Sequence, residues 1–219
     1  ADLARGVYVV DMDGDGDMDI VSASQNDDTI AWYENNGASD PSWTAANIAT
    51  SADGASSVFA ADMDGDGDID IVSASYIDNT IAWYENNGAA DPTWTAANIA
   101  TNIGGALNVK VADIDGDGDM DIISAAHTQN AVTWFENNGA ADPSWTAIQI
   151  TTLADNPRSV FVADMDGDGD LDIISGLQSM QSSILDENWW LGDIMREDDL
   201  IVWYENLGSG DFGNSNIIQ

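Results

Sequence analysis

Aspartate carries most of the chemistry in this chain. The run Asp-x-Asp-Gly-Asp-Gly-Asp-x-Asp occurs four times, starting at Asp11, Asp62, Asp113 and Asp164, always 51 residues apart. Each run packs five carboxylates into nine residues, and such crowding is tolerable only with a hard cation among them. In the first copy, Asp11, Asp13 and Asp15 place carboxylates at alternate positions of a tight loop, so the three can converge on one point. Gly16 stands where the turn needs a positive φ. Asp17 can offer its backbone carbonyl, and Asp19 closes the shell. The spacing is that of the first three-quarters of an EF-hand loop. The twelfth-position Glu of that loop is absent, with Ser22 in its place, and the flanks read as strands. All-oxygen ligation favours Ca²⁺ over Zn²⁺ or copper, and Mg²⁺ rarely sits in an all-protein cage. The expected ligands are therefore Asp11, Asp13, Asp15, Asp17, Asp19; Asp62, Asp64, Asp66, Asp68, Asp70; Asp113, Asp115, Asp117, Asp119, Asp121; and Asp164, Asp166, Asp168, Asp170, Asp172. About four Ca²⁺ are expected, one per repeat.

The elements that position these loops repeat with them. Before each run stands an apolar, β-rich piece: Val7–Val10, Val58–Ala61, Val109–Ala112 and Val160–Ala163. After it come Ile20–Ala23 and its copies, then Ile30-Ala31-Trp32-Tyr33-Glu34, with Trp83, Trp134 and Trp203 in register. Asn35-Asn36-Gly37 is a turn signal, and Trp43–Ile48 closes the unit. Short runs rich in Val, Ile, Trp and Tyr between Gly/Asn/Asp clusters read as strands. Four such strands per period predict an all-β fold, a β-propeller of four-stranded antiparallel blades. The repeats span 1–51, 52–102, 103–153 and 154–219, and form one domain. They would make a four-bladed ring, or half of an eight-bladed ring shared by two copies as a homodimer. The recurring tryptophans are expected to pack blade on blade.

The formal charge is −36, from 40 acidic and 4 basic residues, and half of the acids lie in the four runs. No basic patch exists to hold phosphate, so neither nucleic acid nor an anionic membrane is an expected partner. No stretch approaches the ~18 apolar residues of a membrane span. Cysteine is absent, so no disulfide braces the fold.

The Asp runs, the Asp19-Ile20-Val21-Ser22 continuations and the Thr29-Ile30-Ala31-Trp32-Tyr33-Glu34-Asn35 block with its copies resemble the FG-GAP/VCBS repeat family, the unit of integrin-α-like propellers and of several lectins. The resemblance covers the chain from about Val7 to Ile217. It implies four-stranded blades with Ca²⁺ in the loop joining the first two strands, and the same twenty aspartates as ligands. It also implies an extracellular or cell-surface protein. Family propellers usually have about seven blades, and four repeats depart from that number.

The near-identical repeats disagree in two places. Gln25 becomes Tyr76 and then His127 in the loop after the second strand, and the segments joining successive units vary. In the fourth repeat that loop swells by 18 residues within 177–199 and carries Trp189-Trp190. Strand direction puts the Asp loops and Asn-Asn-Gly turns on one rim and both variable segments on the other. Loops on a rigid scaffold are where binding residues concentrate. Gln25, Tyr76, His127, Trp189 and Trp190 are therefore candidate ligand contacts, although His127 also reads as a merely exposed polar residue. The expected function is a secreted, calcium-stabilised binding or adhesion module for a glycan or protein. The alternatives are a non-catalytic structural or assembly repeat of a larger extracellular protein, or an accessory part of a polysaccharide-degrading enzyme. No catalysis is expected: one histidine and no nucleophile motif are thin material.

Overall fold

The computed structural model describes residues 1–178 and 200–218. They form sixteen strands in four sheets. The first sheet comprises β1 (Ala4–Val10), β2 (Asp19–Ser24), β3 (Thr29–Asn35) and β4 (Trp43–Ala49). The second holds β5 (Ala55–Ala61), β6 (Asp70–Ser75), β7 (Thr80–Asn86) and β8 (Trp94–Ala100). The third holds β9 (Ala106–Ala112), β10 (Asp121–Ala126), β11 (Ala131–Asn137) and β12 (Trp145–Thr151), with a 3₁₀ turn at His127–Gln129. The fourth holds β13 (Pro157–Ala163), β14 (Asp172–Leu177), β15 (Leu200–Asn206) and β16 (Phe212–Ile218). Each sheet is antiparallel in simple sequence order.

Every strand exposes alternate residues to opposite faces. The two faces of each sheet are apolar for different reasons. One face, here called the front, carries Val58, Ala60, Ile71, Ala82 and Tyr84 in the second sheet. It packs on the rear face of the first sheet, built from Met12, Val21, Ala23, Ile30 and Trp32. The same joint recurs between the second and third sheets and between the third and fourth. The Trp32, Trp83 and Trp134 rings are buried in these joints. The fourth strands β4, β8 and β12 lie at the far edge of each sheet and are largely exposed.

The series of sheets does not close into the expected four-bladed ring. Val58, Val109 and Val160 are 5%, 1% and 2% exposed, whereas their counterpart Val7 is 66% exposed because no sheet of the described residues covers the first front face. At the other end Met165 is 48% exposed against 2% for Met12, and Phe161 and Ile201 are also exposed. The insertion carrying Trp189 and Trp190 lies outside the described residues.

Candidate functional site: acidic loops and the opposite rim

Each acidic run forms the loop between the first two strands of its sheet. Two glycines permit the tight path: Gly14 and Gly16 sit at φ 74° and 96°, where a side chain would be strained. The loop is pinned by its own carboxylates, with Gly16 N donating to Asp11 Oδ2 (3.0 Å) and Asp17 N to Asp15 Oδ1 (2.8 Å).

The fold divides the five carboxylates of a run. In the first three repeats the first, third and fifth positions converge: Asp11/Asp13/Asp15, Asp62/Asp64/Asp66 and Asp113/Asp115/Asp117. In the fourth repeat the converging set is Asp164, Asp166 and Asp172. One oxygen from each member lies within 4.8 Å of the others, which matches opposed ligands around a Ca²⁺ at 2.3–2.6 Å. Burial first, then the neighbouring negative charges, holds Asp13, Asp64 and Asp115 above the ordinary carboxylate range. Asp11 Oδ1 is buried without a hydrogen-bond donor. A buried, unpaired carboxylate oxygen inside a crowded acidic loop fits a cation as its missing partner.

Asp168 remains exposed in its loop. The seventh positions turn elsewhere: Asp17, Asp68 and Asp119 lie against Gly37, Gly88 and Gly139 of the Asn-Asn-Gly turns, where any Cβ would collide with the carboxylate. Asp170 similarly lies beside Gly208. The ninth positions, Asp19, Asp70, Asp121 and Asp172, are buried at the start of the second strand. Asp70 accepts from Asn86 N (2.7 Å) and Met63 N (3.2 Å), and Asp121 from Asn137 N (2.8 Å) and Ile114 N (3.1 Å). Burial pushes Asp70 up to about 7 and Asp121 to about 6, opposed by those N–H groups. These four residues therefore tie the acidic loop to the end of the third strand.

That third-strand end holds a set of residues the sequence marks only as turn formers. Asn86, Asn137 and Asn206 are buried and donate from Nδ2 to Met12 O (3.4 Å), Met63 O (2.9 Å) and Ile114 O (2.8 Å) of the preceding acidic loop. Each also donates to its own loop, as Asn137 does to Met120 O at 3.1 Å. The identical Asn in every repeat was the available signal, but the cross-sheet partner is legible only in three dimensions.

On the opposite rim Asp28, Asn79 and Asn130 stand just before the third strands in left-handed conformation, at φ 53°, 60° and 56°. Their side chains accept from Gly54 N, Gly105 N and Asn156 N (2.9, 2.8 and 3.0 Å) and so hold the segment leading to the next sheet. Beside them a cavity of about 460 Å³ is lined by Arg5, Gln25, Ser56, Tyr76, Leu107, Asn108 and Arg158. Gln25 and Tyr76 are thus brought together. His127 lies next to Tyr76, ring centroids 5.9 Å apart, but the reading of it as exposed is corrected. It is 5% exposed, because the 3₁₀ turn folds it under the linker through His127 N→Gly105 O and Thr128 N→Gly104 O, both 3.0 Å. Burial, then the charge of Arg158, lowers its pKa, and neither ring nitrogen has a hydrogen-bond partner among the described residues.

No curated protein matches this sequence. Among solved structures, the V. cholerae biofilm matrix protein Bap1 overlays with a TM-score of 0.47 at 18% identity. That overlay covers 98% of this chain and 39% of the Bap1 chain. The FG-GAP-like repeat matches residues 11–73, 62–124 and 118–175, and each match begins in or near an acidic loop and runs through the strands that follow. With three successive copies over most of its length, the chain belongs to the FG-GAP-like repeat family.

Proposed function

We propose that the chain is a secreted, calcium-stabilised binding or adhesion module that holds a glycan or protein on the rim opposite its acidic loops. The observation that carries this reading is the segregation of the two rims. One rim carries a converging acidic triad in each of four repeats, and the other gathers residues that differ between repeats around one cavity. Bound Ca²⁺ would neutralise the clustered carboxylates. The chain's own residues do the rest: the ninth-position aspartates and the buried asparagines carry the loop's position into its own sheet and the next.

In this reading the sheets are propeller blades, and the open ends are covered by a second copy of the chain. The uncovered front of the first sheet and the uncovered rear of the fourth are registers of the joint the chain already makes three times. Such a head-to-tail contact closes if the rotation allows. A non-enzymatic role is supported by the lone histidine, which is buried and has no hydrogen-bonded carboxylate to orient it as a base. An extracellular setting is supported by the repeat family and by sites suited to a calcium-rich medium. No described helix is long and apolar enough to cross a membrane.

The test is a glycan array together with a pull-down, using calcium-loaded protein. Saturable capture of one glycan or protein class supports the reading. A folded, loaded protein that captures nothing returns the chain to a structural or assembly repeat of a larger extracellular protein. Turnover of a polysaccharide would return it to an accessory part of a degrading enzyme.

A further inference from the structure

The chain holds only 4 basic residues against 40 acidic ones, yet two of the four, Arg5 and Arg158, line the same cavity. They come from the first and the last sheet. Arg5, Ser56, Leu107 and Arg158 occupy one register position, successive periods of 51 residues apart, on β1, β5, β9 and β13. The first strand of every sheet therefore contributes to the cavity lining, and the two arginines come from the two ends of the series. A chain this acidic offers abundant carboxylates for an arginine. Among the described residues, however, the single ion pair joins the N-terminal amine to Asp27 (3.5 Å), and neither arginine has a carboxylate partner. Two like charges lining one cavity with no counter-charge among the described residues repel one another, and an anion between them removes that cost.

The surroundings hold the arginines in place. Arg5 Nε donates to Gln25 Oε1 at 2.8 Å, which leaves the outer guanidinium nitrogens for a ligand. Asn108 accepts from Val160 N (3.0 Å) and donates to Ser57 Oγ (3.2 Å), which fixes β13 two residues from Arg158. Tyr76 contributes a half-buried ring, backed by the buried His127 ring. Burial, then the positive charge of Arg158, favours the neutral form of that histidine.

Resting on the binding-module reading, we infer that this cavity is a site for an acidic saccharide, a uronate whose carboxylate sits between Arg5 and Arg158. An aromatic face for the sugar ring, a side-chain amide for hydroxyls and paired guanidinium groups for a carboxylate are the parts such a ligand requires. The volume is that of a small-molecule site rather than a peptide groove.

The experiment is isothermal titration of the full, calcium-loaded chain at fixed calcium and salt. The probes are trigalacturonate, trimannuronate, neutral galactotriose and triglutamate. At least one triuronate binds, and galactotriose and triglutamate bind at least about tenfold more weakly. Arg5→Gln and Arg158→Gln each weaken triuronate binding about 10- to 100-fold, the loss expected for charge-assisted hydrogen bonds. Their calcium-loaded Tm stays within about two degrees of the parent, since both side chains are exposed. Lys110→Gln makes the same change in net charge outside the cavity and leaves affinity within about twofold.

Failure of both triuronates to bind overturns the inference, as does a Lys110→Gln loss equal to that of Arg158→Gln. Triuronate binding abolished by chelator but indifferent to both arginine variants places the sugar at the acidic loops and also overturns it. Galactotriose binding as tightly as triuronate, unmoved by the arginine variants, overturns the anionic assignment while the binding-module reading stands. Triglutamate binding in place of triuronate overturns the saccharide.

Discussion

The side-chain amide of Asn137 donates to the carbonyl of Met63, 74 residues earlier in the chain and in the acidic loop of the preceding sheet, at 2.9 Å. The bond joins the end of one sheet's third strand to the loop that holds the previous triad. Replacing Asn137 with Ala leaves the Met63 and Met120 carbonyls without this donor and should cost roughly 2–3 kcal/mol. Asn35 has no preceding sheet and keeps only the equivalent bond to Met18 O (3.1 Å). Asn35→Ala should therefore cost about 1 kcal/mol or less. Urea unfolding of the two calcium-loaded variants checks the difference, and equal losses would remove the cross-sheet role.

Calcium removal should loosen the whole chain. At a tenfold excess over Kd each site contributes roughly 1.4 kcal/mol, so four sites shift Tm by more than about ten degrees in a chain of this size. A melt unchanged by chelator would refute structural calcium. Within one loop the aspartates should separate by role. Asp64→Ala removes a member of the triad and should lower metal stoichiometry from about four to three, measured by atomic emission. In chelator the same change should be near neutral, because it relieves repulsion. Asp70→Ala deprives the N–H groups of Met63 and Asn86 of their acceptor and should destabilise by about 2 kcal/mol or more, with or without calcium.

His127 should make the protein sensitive to mild acid. Its folded pKa lies below the ordinary value of 6.5, so on acidification the unfolded chain takes the proton first. The stability held above about pH 6.5 is then lost as pH falls toward the folded pKa. Among the described residues, the Tyr76 ring lies 5.9 Å from the histidine ring and Arg158 adds a positive charge, and neither supplies a carboxylate to its charged form. Between pH 7.5 and 5.5 the Tm of the parent should fall further than that of His127→Asn at matched calcium. Parallel curves would show that the histidine does not titrate below its unfolded value.

The open ends of the sheet series should drive self-association. Light scattering at micromolar concentration should give twice the chain mass. Val7→Glu on the first front face, or Phe161→Glu on the last rear face, should return it to one chain mass, since both side chains are exposed and apolar. A monomeric parent would exclude the second copy as the covering partner.

Periodicity and residue type alone determined the strands, their antiparallel order and the position of the acidic loops. Local rules suffice there: glycine frees the turn, alternation sets the faces, and the carboxylates crowd where the loop turns. The division of labour among five chemically identical aspartates was decided only by the tertiary structure. Burial and backbone donors select Asp70 for the sheet and leave Asp62, Asp64 and Asp66 to converge. The Asn137–Met63 bond and the lining of one cavity by both Arg5 and Arg158 are likewise invisible in a one-dimensional pattern. The bonded pair lies 74 positions apart and the two cavity-lining arginines 153, and only the packing of whole sheets face on face relates them. The open ends follow for the same reason. Every repeat encodes the same two sticky faces, and only the stacking shows which of them find a partner within the chain.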